Sequence, residues 1–227
     1  MIDIEQLEKA FGFKNPHRAL RDLYNTIIAK RKDADYCYEY LNRYGHRRKV
    51  QDVLYMYGEP DLVGQGFDYN IFNRSMLRCV FYSLVSNNVS RIDNLEEIML
   101  VLFPEELEKY SDDHKKFSFK KLCKEFPDRK ISSVLQAIFD GEREFPKIQN
   151  LRDQIAHSTI DGIISNDALV HDEDDYFIDR KHTLSGEREK VADFAKSLNE
   201  LLLKIEEQIF NCLLTHGKDC LNDVQNR

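Results

Sequence analysis

The sequence predicts an all-α protein, a four-helix up-and-down bundle preceded by an N-terminal helical extension. Helix-breaking residues are sparse among its 227 residues, with nine glycines and five prolines. Apolar residues recur at intervals of three and four through most of the chain, which is the spacing of one helix face. The stretch GEPDLVGQG, residues 58–66, concentrates three glycines and a proline and therefore predicts an internal boundary. The predicted domains are an extension over residues 1–60 and a bundle over residues 67–217.

The extension contains one strongly predicted helix, which begins in the stretch NPHRALRDLYNTIIAK. Asn15 is predicted to be the N-cap, and Pro16 suits the first helical position because that position needs no N–H donor. One face of this helix carries Leu20, Leu23, Ile27 and Ile28. The tyrosines of DYCYEYLNRY, residues 35–44, are expected to form a packed helix face, and a shorter helix is expected near residues 50–57.

Four helices are predicted for the bundle, and each has its own apolar stripe. The first runs from Phe67 to about Phe103, the second follows a cap at Asp128, the third starts at Pro146 and the fourth follows Ser185. Their stripes are, in order, Phe72, Met76, Val80 and Leu84; Ile131, Val134, Leu135 and Ile138; Ile148, Leu151 and Ile155; and Val191, Phe194, Leu198, Leu201, Leu202, Ile205 and Ile209. A small hairpin, DGIIS paired with YFIDR, is predicted in the loop of residues 160–184.

Composition limits the class of protein. The chain begins without a basic segment followed by an apolar core, so no signal peptide is expected, and no apolar run reaches membrane-spanning length. The five cysteines are scattered without a CxxC pair, which favours reduced thiols in the cytoplasm over a disulfide framework or a zinc site. A net charge of −7 argues against a protein that coats nucleic acid generally, although a local basic patch would suffice for one short RNA.

The stretch LRDQIAHS carries the residues best suited to chemistry. On a helix Asp153 lies one turn before His157 and can orient its ring, whereas Arg152 lies about 140° round the axis from His157. Together they offer an acid/base, an orienting carboxylate and a cation for phosphate oxygens. These groups suffice for RNA cleavage without a metal, provided that a symmetric dimer supplies a second histidine. The alternative is a surface Asp–His pair near a helix C-terminus.

The positions Arg152, Asp153 and His157, on the penultimate helix of a four-helix unit, resemble the Arg-x4–6-His motif of the HEPN superfamily, in particular its abortive-infection branch. The resemblance covers about residues 70–215. It implies an all-α bundle, a homodimer with both motifs in one composite cleft, and metal-independent endoribonuclease activity in phage defence or a toxin system. It implies His157 as acid/base, Arg152 as phosphate contact and Asp153 as orienting residue. Thr159 stands where the HEPN toxins silenced by nucleotidyltransferases carry a tyrosine, so that form of regulation is not implied.

Other stretches are weaker candidates for contact with RNA. Arg47 and Arg48 lie in the basic turn NRYGHRRK, and Lys120 and Lys121 lie in HKKFSFKKLCKEF, where Phe117 and Phe119 could stack on bases. The preferred interpretation of both stretches is a solvated basic surface, with the two phenylalanines in the core. The acidic run of residues 172–175, between His171 and His182, is interpreted as a solvated loop rather than a cation site.

The expected partners are a second copy of the chain, an RNA substrate and an antitoxin or another defence protein. No membrane contact, DNA, cofactor or metal is expected. Two other functions stay open: a non-catalytic HEPN-like module that binds a nucleotide or a protein, and a helical scaffold in which Asp153 and His157 only stabilise a helix end.

Overall fold

Helices dominate the computed structural model of the protein. The structure describes residues 3–44, 69–110, 117–141, 164–165, 177–178 and 187–221. In these ranges the helices are α1 (Ile4–Ala10), α2 (Arg18–Tyr44), α3 (Tyr69–Leu102), α4 (Phe119–Glu125), α5 (Lys130–Gly141) and α6 (Val191–His216). Short 3-10 helices span Glu108–Tyr110 and Gly217–Leu221. The prediction of an all-α fold is confirmed.

The up-and-down arrangement of the bundle stays a prediction. The helix expected from Pro146 onward lies outside the described residues, as do the shorter helix near residues 50–57 and the boundary stretch at residues 58–66. The division of the chain at residues 1–60 and 67–217 stays a prediction for the same reason. None of the helices in the described ranges is long and apolar enough to cross a membrane.

A small antiparallel sheet accompanies the helices. Strand β1 (Ile164–Ser165) pairs with β2 (Phe177–Ile178), and the register places Ile164 opposite Ile178. This pairing confirms the predicted hairpin. A third strand, β3 (Glu189–Lys190), pairs antiparallel with β2 and leads directly into α6, a strand that the sequence did not predict.

The chain divides into two compact units. The first comprises Met1–Arg31, Val89–Pro146 and Glu200–Arg227. Its aromatic contacts include Phe11 with Phe103, at 5.2 Å between ring centroids, and Tyr24 with Phe210, at 5.9 Å.

The second unit comprises Lys32–Asn88 and Lys147–Asn199. In its interior the rings of Phe81 and Phe194 lie 5.6 Å apart. The fully buried Asn88 donates to the side-chain oxygen of Asn199 at 2.8 Å and to the carbonyl of Leu84 at 3.1 Å. Burial without hydrogen bonds would be costly for an amide, and these bonds offset that cost.

Helix α6 presents to the core the stripe that its sequence predicts. All seven predicted positions are buried: Val191, Phe194, Leu198, Leu201, Leu202, Ile205 and Ile209. The exposed positions between them are mostly charged or polar. A helix with one apolar and one polar face has only one way to bury its apolar side chains, so the face was predictable.

The predicted stripe of α3 is largely wrong. Met76 is exposed and Val80 is only half-buried, whereas Leu77 and Phe81, each one position further on, are fully buried together with Leu84. The side chain of Phe72 lies outside the described part of the chain. Because α3 carries apolar residues around most of its circumference, periodicity alone does not decide which face packs.

Helix α2 begins two residues later than predicted, and Asn15 is not its N-cap. His17 precedes the first helical residue, and its Nδ1 accepts a hydrogen bond from the N–H of Leu20 at 3.3 Å. The N–H of His17 itself donates to Oε1 of Glu8 at 2.8 Å. The buried carboxylate of Glu8 therefore fixes the backbone at His17, and this tertiary contact overrides the local preference for Asn15.

The prediction of a packed tyrosine face near the end of α2 is also wrong. Tyr36 is 69% exposed, and Tyr40 and Tyr44 are half-buried, with their ring centroids 4.7 Å apart and the rings tilted. The buried residues of this stretch are Ala34 and Leu41. Seven residues separate that pair, which places them on one helix face, and the tyrosine stripe lies on another.

Two buried carboxylates, Glu206 and Glu8, form ion pairs within the first unit. Glu206 is 1% exposed and accepts hydrogen bonds from Nε of Arg91, which is equally buried, and from Nη2 of Arg31. Near the N-terminus, Glu8 accepts from Nε and Nη2 of Arg21 at 2.9 and 2.8 Å. The hydrogen bond from the Arg21 guanidinium is the main reason that the pKa of Glu8 lies at about 2.

Candidate functional site

The three residues of the predicted catalytic motif lie outside the described part of the structure. Arg152, Asp153 and His157 fall between the end of α5 at Gly141 and strand β1, and Arg47 and Arg48 also lie in a range that is not described. Their roles therefore stay predictions from the sequence. Of the predicted RNA contacts, the structure describes Lys120 and Lys121.

Lys120 and Lys121 lie on α4, and both side chains are exposed, as is that of Lys124. Two contacts fix the start of this helix: the Ser118 hydroxyl accepts from the N–H of Lys121 at 3.3 Å, and Oε1 of Glu96 accepts from the N–H of Phe119 at 2.8 Å. Both contacts satisfy N–H groups that a helix start leaves without intrahelical partners. The helix thus holds three exposed lysine side chains at the surface.

The two phenylalanines of the same stretch do not form a base-stacking surface. Phe117 and Phe119 are 5% and 1% exposed, and the ring of Phe117 packs on Tyr110 at 5.2 Å between centroids. The preferred interpretation, in which both rings belong to the core beneath solvated lysines, is confirmed. Any contact of this surface with RNA would therefore be electrostatic, through the backbone phosphates.

An open, solvent-facing cavity of about 410 Å³ lies between α5 and the C-terminal half of α6. Val134 and Ala137 of α5 form one wall, and the other wall consists of Gln208, Asn211, Cys212, Thr215 and His216 of α6. Cys212 and His216 lie one helical turn apart, so both side chains are on the same face of α6. The cavity thus borders a thiol and an imidazole.

A second thiol lies directly behind this cavity. Sγ of Cys212 is 3.9 Å from Sγ of Cys220, which belongs to the 3-10 helix Gly217–Leu221. Both cysteines are buried, and Sγ of Cys220 donates a hydrogen bond to the carbonyl of Cys212 at 3.2 Å. The five cysteines, all within the described residues, form no disulfide.

The backbone at Gly217 brings the two thiols together. Gly217 has φ +51°, a left-handed conformation that ends α6 and turns the chain back. A Cβ at this position would lie 2.7 Å from the carbonyl oxygen of Ala10, too close for any other residue without a backbone shift. This thiol pair was not predictable from the sequence, because the eight-residue separation of the cysteines matches no metal or redox spacing. The glycine after His216 was the available indication that the chain reverses there.

The described residues hold no group of three or more histidine, cysteine or acidic side chains arranged for a metal ion. No protein-family model, curated protein or solved structure matches the sequence. The HEPN resemblance therefore remains a prediction based on residues 152–157 and on the helical pattern around them.

Proposed function

We propose that the protein is a metal-independent endoribonuclease of the HEPN type, acting in phage defence or as a toxin. The observation that carries the proposal is the motif formed by Arg152, Asp153 and His157. The all-α fold of the described residues supports it, because such motifs belong to helical proteins. Homodimerisation and the RNA substrate are part of the same proposal.

The proposed reaction needs two proton transfers and one stabilised charge. His157, oriented by Asp153, removes the proton of a ribose 2′-hydroxyl, and the 2′-oxygen attacks the adjacent phosphorus. The bond from phosphorus to the 5′-oxygen breaks, leaving a 2′,3′-cyclic phosphate. A protonated histidine from a second copy donates to the departing oxygen, and Arg152 stabilises the negative charge of the transition state.

The charge of the chain favours a limited contact with RNA. A protein with a net charge of −7 is not attracted to polyanions as a whole. The exposed Lys120 and Lys121 supply local positive charge instead. A substrate held by a few lysines is a short or structured RNA, recognised at one place, rather than a long strand coated by protein.

The test is RNA cleavage by the purified full-length protein in EDTA. Wild type is compared with His157→Ala on total cellular RNA, and new ends are mapped for a 2′,3′-cyclic phosphate. We expect cleavage by wild type and its loss in the variant, with the helical circular-dichroism spectrum unchanged. Expression of the wild type, and not of the variant, is expected to arrest growth.

A matched variant separates loss of the catalytic histidine from loss of any histidine. His216→Ala removes a half-exposed histidine of α6 that has no role in the proposed chemistry, and it should cleave like wild type. Equal activity of wild type and His157→Ala would contradict the proposal. Absence of both cleavage and toxicity in a folded wild-type dimer would instead favour the non-catalytic module that binds a nucleotide or a protein.

A further inference from the structure

The thiol pair at the end of α6 has a geometry that the proposed ribonuclease reaction does not use. We propose that Cys212 and Cys220 form an oxidisable dithiol site, at which a hydroperoxide oxidises Cys212 and Cys220 then closes a disulfide. The proposal rests on the distance between the sulfurs, the cavity beside Cys212 and the hydrogen bond made by Cys220. It is independent of the proposed function.

The two sulfurs are in van der Waals contact. A disulfide has an S–S length of about 2.05 Å, so closure from 3.9 Å requires an approach of about 1.9 Å. Cys220 lies on a five-residue 3-10 helix rather than in the middle of a long helix. Small rotations of the two side chains and a shift of this short segment can supply that movement.

Cys212 is the sulfur that a small oxidant reaches. It lines the cavity between α5 and α6, whereas Cys220 is fully buried and is not among the cavity residues. A volume of about 410 Å³ is many times the roughly 30 Å³ that one water molecule occupies in the liquid, so a small hydroperoxide fits. Asn211 and Thr215 place polar groups beside the thiol, and these can hydrogen-bond a peroxide.

The hydrogen bonds also distinguish the two thiols. The Cys220 thiol donates to the carbonyl of Cys212 at 3.2 Å and must keep its proton to do so, while the two sulfurs lie in contact at 3.9 Å. The pKa of Cys212 is lowered, chiefly by the hydrogen bond from Cys220 and further by the charge of Lys130. The pKa of Cys220 is raised by the same contact and by burial. The thiolate, which is the nucleophile, therefore forms at Cys212.

The oxidation proceeds in two balanced steps. The Cys212 thiolate attacks the terminal oxygen of a hydroperoxide: an S–O bond forms, the O–O bond breaks, and the departing oxygen takes a proton to leave as an alcohol or water. The product is a sulfenic acid, with sulfur oxidised by two electrons. The Cys220 sulfur then attacks the Cys212 sulfur, and the S–S bond forms as the S–O bond breaks. The thiol proton of Cys220 leaves with the hydroxyl group as water.

The disulfide would join α6 covalently to the segment that follows it. The 3-10 helix Gly217–Leu221 contacts α1 and α5, and Gly217 lies against Ala10 at the end of α1. Closure of the S–S bond draws this segment and the Cys212 side chain toward each other. Oxidation is thus expected to change the packing at this end of the first unit.

The test uses the full-length reduced protein, one molar equivalent of hydrogen peroxide and peptide mass spectrometry without reductant. We expect the number of titratable thiols in denaturant to fall from five to three, with one disulfide between Cys212 and Cys220. In Cys220→Ser the sulfenic acid cannot be resolved, so dimedone should label Cys212. In Cys212→Ser neither the disulfide nor a dimedone adduct on Cys220 should form.

Cys123→Ser is the matched control, because Cys123 is also buried but its sulfur contacts the carbonyl of Ser132 at 3.8 Å. This variant should form the disulfide as wild type does. Retention of all five thiols by the wild type, or a disulfide between other cysteines, would overturn the proposal. The measurement on the wild type tests the proposal even if a serine variant does not fold. None of these measurements depends on RNA cleavage.

Discussion

Replacement of Glu206 by glutamine is expected to destabilise the protein strongly, even though the two side chains have nearly the same shape. Glu206 is 1% exposed and is the common acceptor for Arg31 and Arg91. Glutamine keeps an oxygen acceptor but removes the negative charge. The guanidinium group of Arg91 then remains in the interior, and that of Arg31 remains half-buried, without the carboxylate that offsets their desolvation.

The expected loss of stability in Glu206→Gln follows from the burial of the ion pair. Removal of one partner of a buried ion pair costs about 3–5 kcal/mol, because it leaves an uncompensated buried charge. With a urea m-value of about 2 kcal/mol/M, the midpoint of unfolding falls by about 1.5–2.5 M. Glu207 is the matched control on the same helix, since it is adjacent in sequence but exposed. Glu207→Gln should change stability by less than about 0.5 kcal/mol.

The assay is equilibrium unfolding in urea followed by circular dichroism at neutral pH. The variant Glu206→Leu combined with Arg91→Met tests the cause of the effect, because replacement of both charges removes most of the uncompensated charge. The double variant should lose less stability than the sum of the two single variants. Equal midpoints for Glu206→Gln and Glu207→Gln would refute the reasoning, as would strict additivity in the double variant.

Two further predictions concern Glu8 and the lysines of α4. The pKa of Glu8 is about 2 in the folded protein, below its ordinary value of 4.5, so its contribution to stability is complete above about pH 4.5 and is lost as the pH falls toward 2. Glu8→Gln should therefore differ from wild type in urea unfolding at pH 6 and converge with it near pH 2; a constant difference would contradict this. Replacement of Lys120 and Lys121 by glutamine is tested in a His157→Ala background, which prevents cleavage. The plot of log affinity for single-stranded RNA against log salt concentration should become less steep by about 1.4, because each of the two lost phosphate contacts accounts for about 0.7. Lys9→Gln, at an exposed position, is the control. An equal slope in this control and in the variant that lacks Lys120 and Lys121 would show that these two lysines do not contact RNA.

The helices that sequence alone describes best are those with one apolar face. In α6 charged and polar residues separate the apolar positions, so its buried face was predictable, although the helix begins at Val191 rather than directly after Ser185. In α3 apolar residues occupy neighbouring positions such as Met76 and Leu77, and the buried choice depends on what packs against the helix. The existence of α3 was therefore predictable, and its orientation was not.

Other features depended on contacts between distant residues. The start of α2 is fixed by Glu8, nine residues before His17. Preferences of single residues for helix ends do not predict such a contact. The same is true of β3, whose two residues form a strand only because β2 lies beside them. Of the candidate sites, the motif around His157 came from a short pattern in the sequence. The pair of Cys212 and Cys220 required the chain reversal at Gly217.

The ion pair of Arg31 with Glu206 bears on the register of α2, that is, on its position along its own axis relative to the residues that pack against it. Residues with no exposed surface recur every seven positions along this helix, at Leu20, Ile27, Ala34 and Leu41. An apolar stripe with that repeat matches itself after a shift of one heptad, about 10.5 Å along the axis. Only one alignment brings Arg31 to Glu206; after such a shift, apolar packing would persist but the carboxylate would lose this guanidinium. The ion pair, together with the contacts of Glu8 to His17 and Arg21, therefore favours one register of α2, which the repeating apolar residues do not specify by themselves.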